Sequence, residues 1–398
     1  MNRIFIKVAG IAAASAMLAV GTAAAQDKTY LIEYKLYNAA LEAGDTDAAI
    51  KHAHTAWQAA EKELGDNNLT AVLAFNYGQL VLFSDPENAT SALRRASELQ
   101  AAGIADLPAD DLELYLAFVE FAVDPRQSRK RDAFRDLLSA IDTEGQPRSS
   151  DIAMMWLRLA SGDVADEHYD DGVMSAARAE TLLYAAEPKA YRRHAEALLL
   201  LGVATMFRDD GIADDIIAAN QHFIKAGKLF PLQNDIATFD RTLALILAWN
   251  QTAAALLESK AQFQATMPDT FTSSRIRLAQ PENDIPDPTK FSHFDYDAVF
   301  PASKPPEECN IDWEKRDPPK YPRTASNKGY VGSALVGYRI NADLSVENTV
   351  ILAEVPGEIF GQAAVDSMTE WRLAHAPNQE EGCIENRLTV FSFILVPR

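Results

Sequence analysis

The feature that most constrains this chain is where its prolines fall. Ten of its nineteen prolines lie between Thr266 and Pro322, among them Pro281, Pro286, Pro288, Pro301, Pro305, Pro306, Pro318 and Pro319. Proline lacks the N–H that a helix ladder needs and pushes the preceding residue toward extended backbone, so this stretch cannot continue a helix. Residues 29 to about 265, in contrast, are sparse in proline and rich in Ala, Leu and Glu. Their apolar residues return every three and four positions, which predicts helices. A helical part of 26–265, a proline-bearing connector of 266–309 and a C-terminal module of 310–398 follow from this division. At 398 residues the chain is long enough for two domains with cores of their own.

Met1 to Ala25 reads as an export leader. Arg3 and Lys7 supply a short positive region, Val8 to Val20 is mostly apolar, and Ala23, Ala24 and Ala25 before Gln26 offer small residues for cleavage. The apolar run is shorter than the roughly 20 residues of a membrane helix. The mature chain is therefore expected to begin near Gln26 as a soluble periplasmic protein. The alternative is a retained leader that anchors the chain in the inner membrane, facing the periplasm.

The formal charge is −20, and loss of Arg3 and Lys7 with the leader makes it −22. From Asn310 onward nine basic and twelve acidic residues leave only −3, so the acidity belongs to the middle of the chain. Such a surface repels phosphate backbones and anionic lipid, which argues against nucleic acid or peripheral membrane binding. Cys309 and Cys383 are the two cysteines. In an oxidising compartment they can pair and close a loop worth about 4 kcal/mol if unstrained. The other reading is two free thiols too distant to meet.

Within the helical part, Gly44-Asp45 has the chemistry of a tight interhelical turn. Ala49, Ala53 and Ala56 then leave small side chains on one face, admitting a neighbouring helix, and Ala89 and Ala96 repeat the seven-residue spacing. Ala219, Phe223, Ala226 and Pro231, preceded by Leu201-Gly202, resemble the second helix of a tetratricopeptide repeat, in which an aromatic fills the groove and Pro ends the unit. Tyr169 to Pro188 fits less well: it keeps Ala176 and Pro188 but places Glu180 where an aromatic is usual. Gly44-Asp45 followed by Leu64-Gly65-Asp66 is also similar to the longer repeats of kinesin light chains. The resemblance implies an irregular helical-hairpin array of α-solenoid type.

In the C-terminal module, Ser333 to Ile340 alternates like a strand, Asn341-Ala342-Asp343 supplies a turn and Val346 to Ala353 returns. Residues 358 to 373 predict a helix with Phe360, Ala363, Ala364, Met368 and Trp371 on one face, lying across the hairpin. Arg387 to Val396 predicts a third antiparallel strand. This β-β-α-β order, with Tyr321-Pro322, Ala325, Gly329 and Gly332, the paired Ala363-Ala364 and Trp371-Arg372, resembles the C-terminal domain of the TonB family over about eighty residues. The overall class is then α+β. Two positions depart from the family: the hairpin turn is Asp343-Leu344 instead of Asp-Gly or Asn-Gly, and Leu373 stands where an aromatic commonly follows Trp-Arg.

The resemblance implies a protein that grips an envelope partner, such as an outer-membrane transporter, by strand pairing. Leu388, Thr389, Val390, Phe391, Ser392, Phe393, Ile394 and Leu395 would present the edge. The plainer readings are a core strand with a buried edge, or a homodimer contact. Family members that transduce energy resemble a tether, an uncleaved membrane helix with a polar histidine and then a long Pro-Lys and Pro-Glu spacer. This chain instead has Ala-rich leader residues without histidine, then a helical array, then a mixed proline-bearing connector. An adaptor role is therefore expected over direct energy transduction, with the helical array as a second interaction surface and a divergent transducer as the alternative.

No enzyme, cofactor or metal centre is expected. His52 and His54 are two apart, which on a helix sends them to different faces, and His168, His194, His222, His293 and His375 lack neighbouring ligand spacing. The adjacent acids Asp170-Asp171, Asp209-Asp210, Asp214-Asp215 and Glu307-Glu308 read as solvated pairs. No phosphate-cradling glycine loop or dinucleotide fingerprint occurs, and Gly332-Ser333 has the wrong flanking glycines for a nucleophile elbow.

Overall fold

The computed structural model describes residues 28–142, 150–186, 190–208, 213–230, 236–266, 311–376, 384 and 387–394. The leader, nearly all of the connector, Cys309, Cys383, Pro188, Pro231 and Leu395 lie outside these residues. The architecture is α+β: helices occupy the first part and small antiparallel sheets the last. By its internal packing the chain divides into two compact units, Met1–Gly162 and Asp163–Arg398. Composition places its boundaries in the proline-rich stretch; the compact division falls inside the helical part and groups the later helices with the C-terminal module.

The first unit contains α1 (Thr29–Ala43), α2 (Thr46–Leu64), α3 (Asn68–Leu80), α4 (Pro86–Ala101), α5 (Ala109–Val123), α6 (Ser128–Ile141) and most of α7 (Ser150–Ala165). From α1 to α6 each helix packs on the next. The first hairpin shows why. Gly44 adopts φ 70°, a left-handed cap open to glycine at little cost, and its N–H reaches back to the Ala40 and Leu41 carbonyls. Asp45 then caps α2 by accepting from the Ala48 N–H at 3.1 Å. Ala49, Ala53, Ala56 and Ala60 are all buried on the α2 face, so the helices approach closely. Ala89 and Ala96 do the same on α4. His52 and His54 diverge as expected: His52 Nδ1 meets Glu33 Oε2 at 2.7 Å, whereas His54 Nε2 lies 3.1 Å from Gln58 Nε2.

The second unit continues with α8 (Tyr169–Ala185), α9 (Tyr191–Phe207), α10 (Ala213–Gly227) and α11 (Arg241–Thr266). Ala219, Phe223 and Ala226 are fully buried. The Phe223 ring lies so close to Gly202 that an added Cβ would stand 2.5 Å from its Cε1, the groove-filling geometry read from the sequence. One hairpin earlier, Glu180 stands in the aromatic's place and meets His194 Nε2 at 3.0 Å. The adjacent acids need a correction. Asp214 opens the first turn of α10, where a carboxylate suits the helix dipole, but Asp215 does not face water. It is buried and accepts from Arg208 Nε and Nη2 at 3.2 and 2.8 Å, a pairing that offsets the cost of its desolvation.

His222, on α10, is held below the usual histidine pKa by burial first and by Lys225 second, with Glu180 opposing. A lowered folded pKa means the unfolded chain takes up the proton first as pH falls. The stability of this unit is therefore expected to be full above about pH 6.5 and to decline below it. Urea midpoints measured from pH 7.5 to 5 should show a smaller acid decline in His222→Phe than in the parent. An identical decline in both would contradict this assignment.

The module follows as β1 (Trp313–Lys315), α12 (Arg323–Lys328), β2 (Gly332–Ile340), β3 (Val346–Val355), α13 (Gly361–Met368), β4 (Arg372–Leu373) and β5 (Arg387–Phe393). The main sheet has the order β3-β2-β5, fully antiparallel, and β1 pairs with β4 in a separate two-stranded sheet. The expected helix over 358–373 is shorter than the periodicity suggested. Trp371 lies beyond its end, and Arg372-Leu373 is extended, because Leu373 N–H bonds the Leu344 carbonyl and Ala374 N–H the Asp312 carbonyl. The last strand ends at Phe393, with Ile394 beyond it. The hairpin turn keeps its left-handed residue without glycine: Leu344 takes φ 70°, and Asp343 Oδ1 accepts from Ser345 N–H.

Both faces of the main sheet are covered. On one, Ala334, Val336, Tyr338, Ile340, Phe391 and Phe393 share a core with Phe360, Ala364, Met368 and Trp371. On the other, Leu335, Ala353 and Val355, with half-buried Leu388 and Val390, join the core formed by residues of α9, α10 and α11. Period-two alternation along β2 and β5 sends successive side chains to these two cores.

Candidate functional site

The family-motif residues build the entrance to β2. Pro322 precedes α12, and Gly329 closes it at φ 69°, its N–H bonded back to the Ala325 and Ser326 carbonyls. Ala325 is buried beneath the turn. The Tyr321 hydroxyl donates to the Tyr330 carbonyl and lies 3.5 Å from the Phe393 carbonyl at the end of β5. Its ring meets Phe360 and Phe393 edge-on, at 5.9 and 5.8 Å, and burial raises its pKa. Phe360 and Phe393 stack at 4.6 Å. Ala364 is fully buried and Ala363 half-buried on α13. Glu354 Oε2 accepts from the Phe360 and Gly361 N–H groups at 2.8 and 2.6 Å, fixing the start of α13 on β3.

Trp371 is the keystone of the aromatic face. Its ring lies 5.0 Å from Trp313 and 5.3 Å from Phe391, the Arg316 guanidinium sits 4.7 Å from its centroid, and its Nε1–H donates to the Asp317 carbonyl at 2.9 Å. It thereby ties the β1-β4 ribbon to β5. At the exposed rim of that ribbon, Lys315 pairs with Glu370 and holds the Glu370 carboxyl below its ordinary pKa.

The structure presents two sheet edges, β3 and β5, and they are not equivalent. The β2–β5 register runs without a shift from Gly332↔Phe393 to Tyr338↔Arg387. The β2–β3 register shifts twice, between Leu335 and Val336 and between Gly337 and Arg339, and Asn348 takes φ 51°. Bulges bend and twist a strand and spoil its outer row of main-chain groups as a template. The regular edge is therefore β5, which among the described residues pairs only with β2. Leu388, Thr389 and Val390 are half-buried, Phe391 and Phe393 buried and Ser392 exposed.

Sequence reasoning missed what lies under this edge. α11 packs on β2, β3 and β5. Thr252 Oγ1 donates to Ser333 Oγ at 2.9 Å with both residues fully buried, and Gln251 Nε2 donates to Ser392 Oγ at 3.2 Å. A signal was present: Leu243 to Trp249 is seven apolar residues in a row, and a helix apolar around its circumference is one buried on several sides.

Residues 317–392 match the family model described as Gram-negative bacterial TonB protein C-terminal. The sheet-and-helix module is thus of TonB C-terminal type, as the motif residues implied. Among solved structures the chain is similar to one titled "Crystal structure of MamA protein", at 18% identity and a TM-score of 0.33, over 51% of this chain and 92% of that one. The search of curated proteins finds no match.

Proposed function

We propose that this is an exported adaptor of the periplasm that captures an extended segment of an envelope protein, such as an outer-membrane transporter, by adding it as a strand to the outer edge of β5. One observation carries the reading: within the segment that matches the TonB C-terminal family, β5 is a bulge-free edge strand whose outer main-chain groups have no partner strand among the described residues. Strand addition draws its affinity from main-chain hydrogen bonds and its specificity from alternate side chains. Binding and docking suffice for this role, with no cofactor, metal or covalent step. The periplasmic placement is supported by the leader-like N-terminus. No helix among the described residues is long and apolar enough to cross a membrane.

Deuterium exchange on the full chain, with and without peptides from envelope proteins, tests the proposal. Amides of 387–393 that point outward are expected to slow on peptide addition. Unchanged exchange with every candidate would reject strand capture. Protection of the same amides without peptide, together with a doubled mass by light scattering, would reassign the edge to a homodimer contact.

A further inference from the structure

We infer that a strand captured at β5 is also read by α11, and that Gln251 is a specificity-determining residue of that capture; this rests on the reading above. The recognition surface then extends beyond 317–392, the segment that matches the family model, into the helical array. Three observations converge. First, Thr252 and Gln251 sit side by side over the cross-strand pair Ser333↔Ser392, with Thr252 over the inner strand and Gln251 over the edge strand. Moving from Thr252 to Gln251 therefore moves toward the rim. Second, the Thr252–Ser333 contact is fully buried beside the apolar core of α11 and the sheet, and a polar pair there fixes the register of helix on sheet. It sets the position from which the Gln251 amide reaches Ser392. Third, Leu388 and Val390 pack on the α11 core but remain half-buried, so each keeps apolar surface that a neighbour can cover.

Helix periodicity puts Ala255, at i+4, on the same flank as Gln251. Ala255 is half-buried, so it leaves room beside the Gln251 amide. A strand laid beside β5 thus has two different faces. On the α11 side its alternate residues face the Gln251 amide. An amide there suits side chains that hydrogen-bond, and the formal charge of −20 favours positively charged ones among them. On the other side they lie beside half-buried Thr389 and the Tyr321 ring, which suit apolar side chains. The partner class is an extended protein segment that alternates apolar residues with polar or basic ones.

The test is selection from a display library of random decapeptides with the full chain as bait. Deuterium exchange then retains only those peptides that slow the 387–393 amides. For these, Gln251→Ala is expected to weaken binding about tenfold, the scale of one lost hydrogen bond to a polar or charged group. Gln251→Asn should recover part of it, and reselection on Gln251→Ala should lose the polar or basic preference at alternate positions. The urea midpoint of Gln251→Ala should match the parent, separating recognition from folding. Peptides that protect β5 but bind Gln251→Ala within twofold of the parent would overturn the role of α11 and leave strand capture standing. If the parent selects no peptide that protects β5, both fall.

Discussion

Gly332→Ala is expected to unfold the C-terminal module. A Cβ at this position would stand 1.9 Å from the Val355 carbonyl oxygen and 2.6 Å from Phe360 Cε2. Neither neighbour can yield. Val355 is held in the β3 ladder opposite Ser333, and Phe360 is fully buried against Phe393. Relief would require the strand itself to move, so the cost should exceed the roughly 1 to 3 kcal/mol of ordinary overpacking. Gly357 is the internal control: nothing lies within 4 Å of its added Cβ, and Gly357→Ala should change the urea midpoint little. Tryptophan fluorescence during urea unfolding reports on the module through Trp313 and Trp371. If Gly332→Ala and Gly357→Ala unfold at the same urea concentration, the close β2–β3 approach at this residue is wrong.

Trp371→Ala should cost about 3 to 5 kcal/mol, the range for truncating a buried large aromatic. The residue is only 2% exposed. Its loss removes the ring shared by Trp313, Tyr338 and Phe391, the seat of the Arg316 guanidinium, and the donor to the Asp317 carbonyl, which then loses its partner. Because Trp371 links the β1-β4 ribbon to β5, deuterium exchange should accelerate across 387–393 as well as around 313–315. Trp371→Phe keeps part of the ring contact but not the N–H, and should fall between parent and alanine variant. A Trp371→Ala protein with parental stability and parental exchange in β5 would sink this account of the aromatic face.

Local chemistry was legible where a few neighbouring residues decide the outcome. Gly44-Asp45 specifies a left-handed cap followed by a side-chain cap, and both form. Ala219, Phe223 and Ala226 declared a groove, with Gly202 opposite. Alternation in 333–340 and 346–353 gave the hairpin, and Tyr321-Pro322, Gly329 and Gly332 its entrance. Less was legible where distant residues compete. Trp371 continues the apolar spacing of α13, yet it leaves the helix because main-chain bonds from Leu373 and Ala374 draw the chain to Leu344 and Asp312. β1 went unseen for the same reason, since its only ladder partner is β4. Asp215 looked solvated because its partner, Arg208, stands seven positions earlier, beyond the end of α9, where no helical spacing links the two.

By itself the sequence determined the succession of helices, the helical-hairpin packing and the main β-β-α-β order of the module, since apolar period, cap chemistry and small residues act over a turn or a strand. Only the tertiary structure decided that the second face of the sheet is covered by α11, that β5 keeps the regular edge while β3 is bulged, and that Gln251 and Ser392 meet. These depend on contacts across chain separations as large as the 141 positions between Gln251 and Ser392, whose geometry no local pattern encodes.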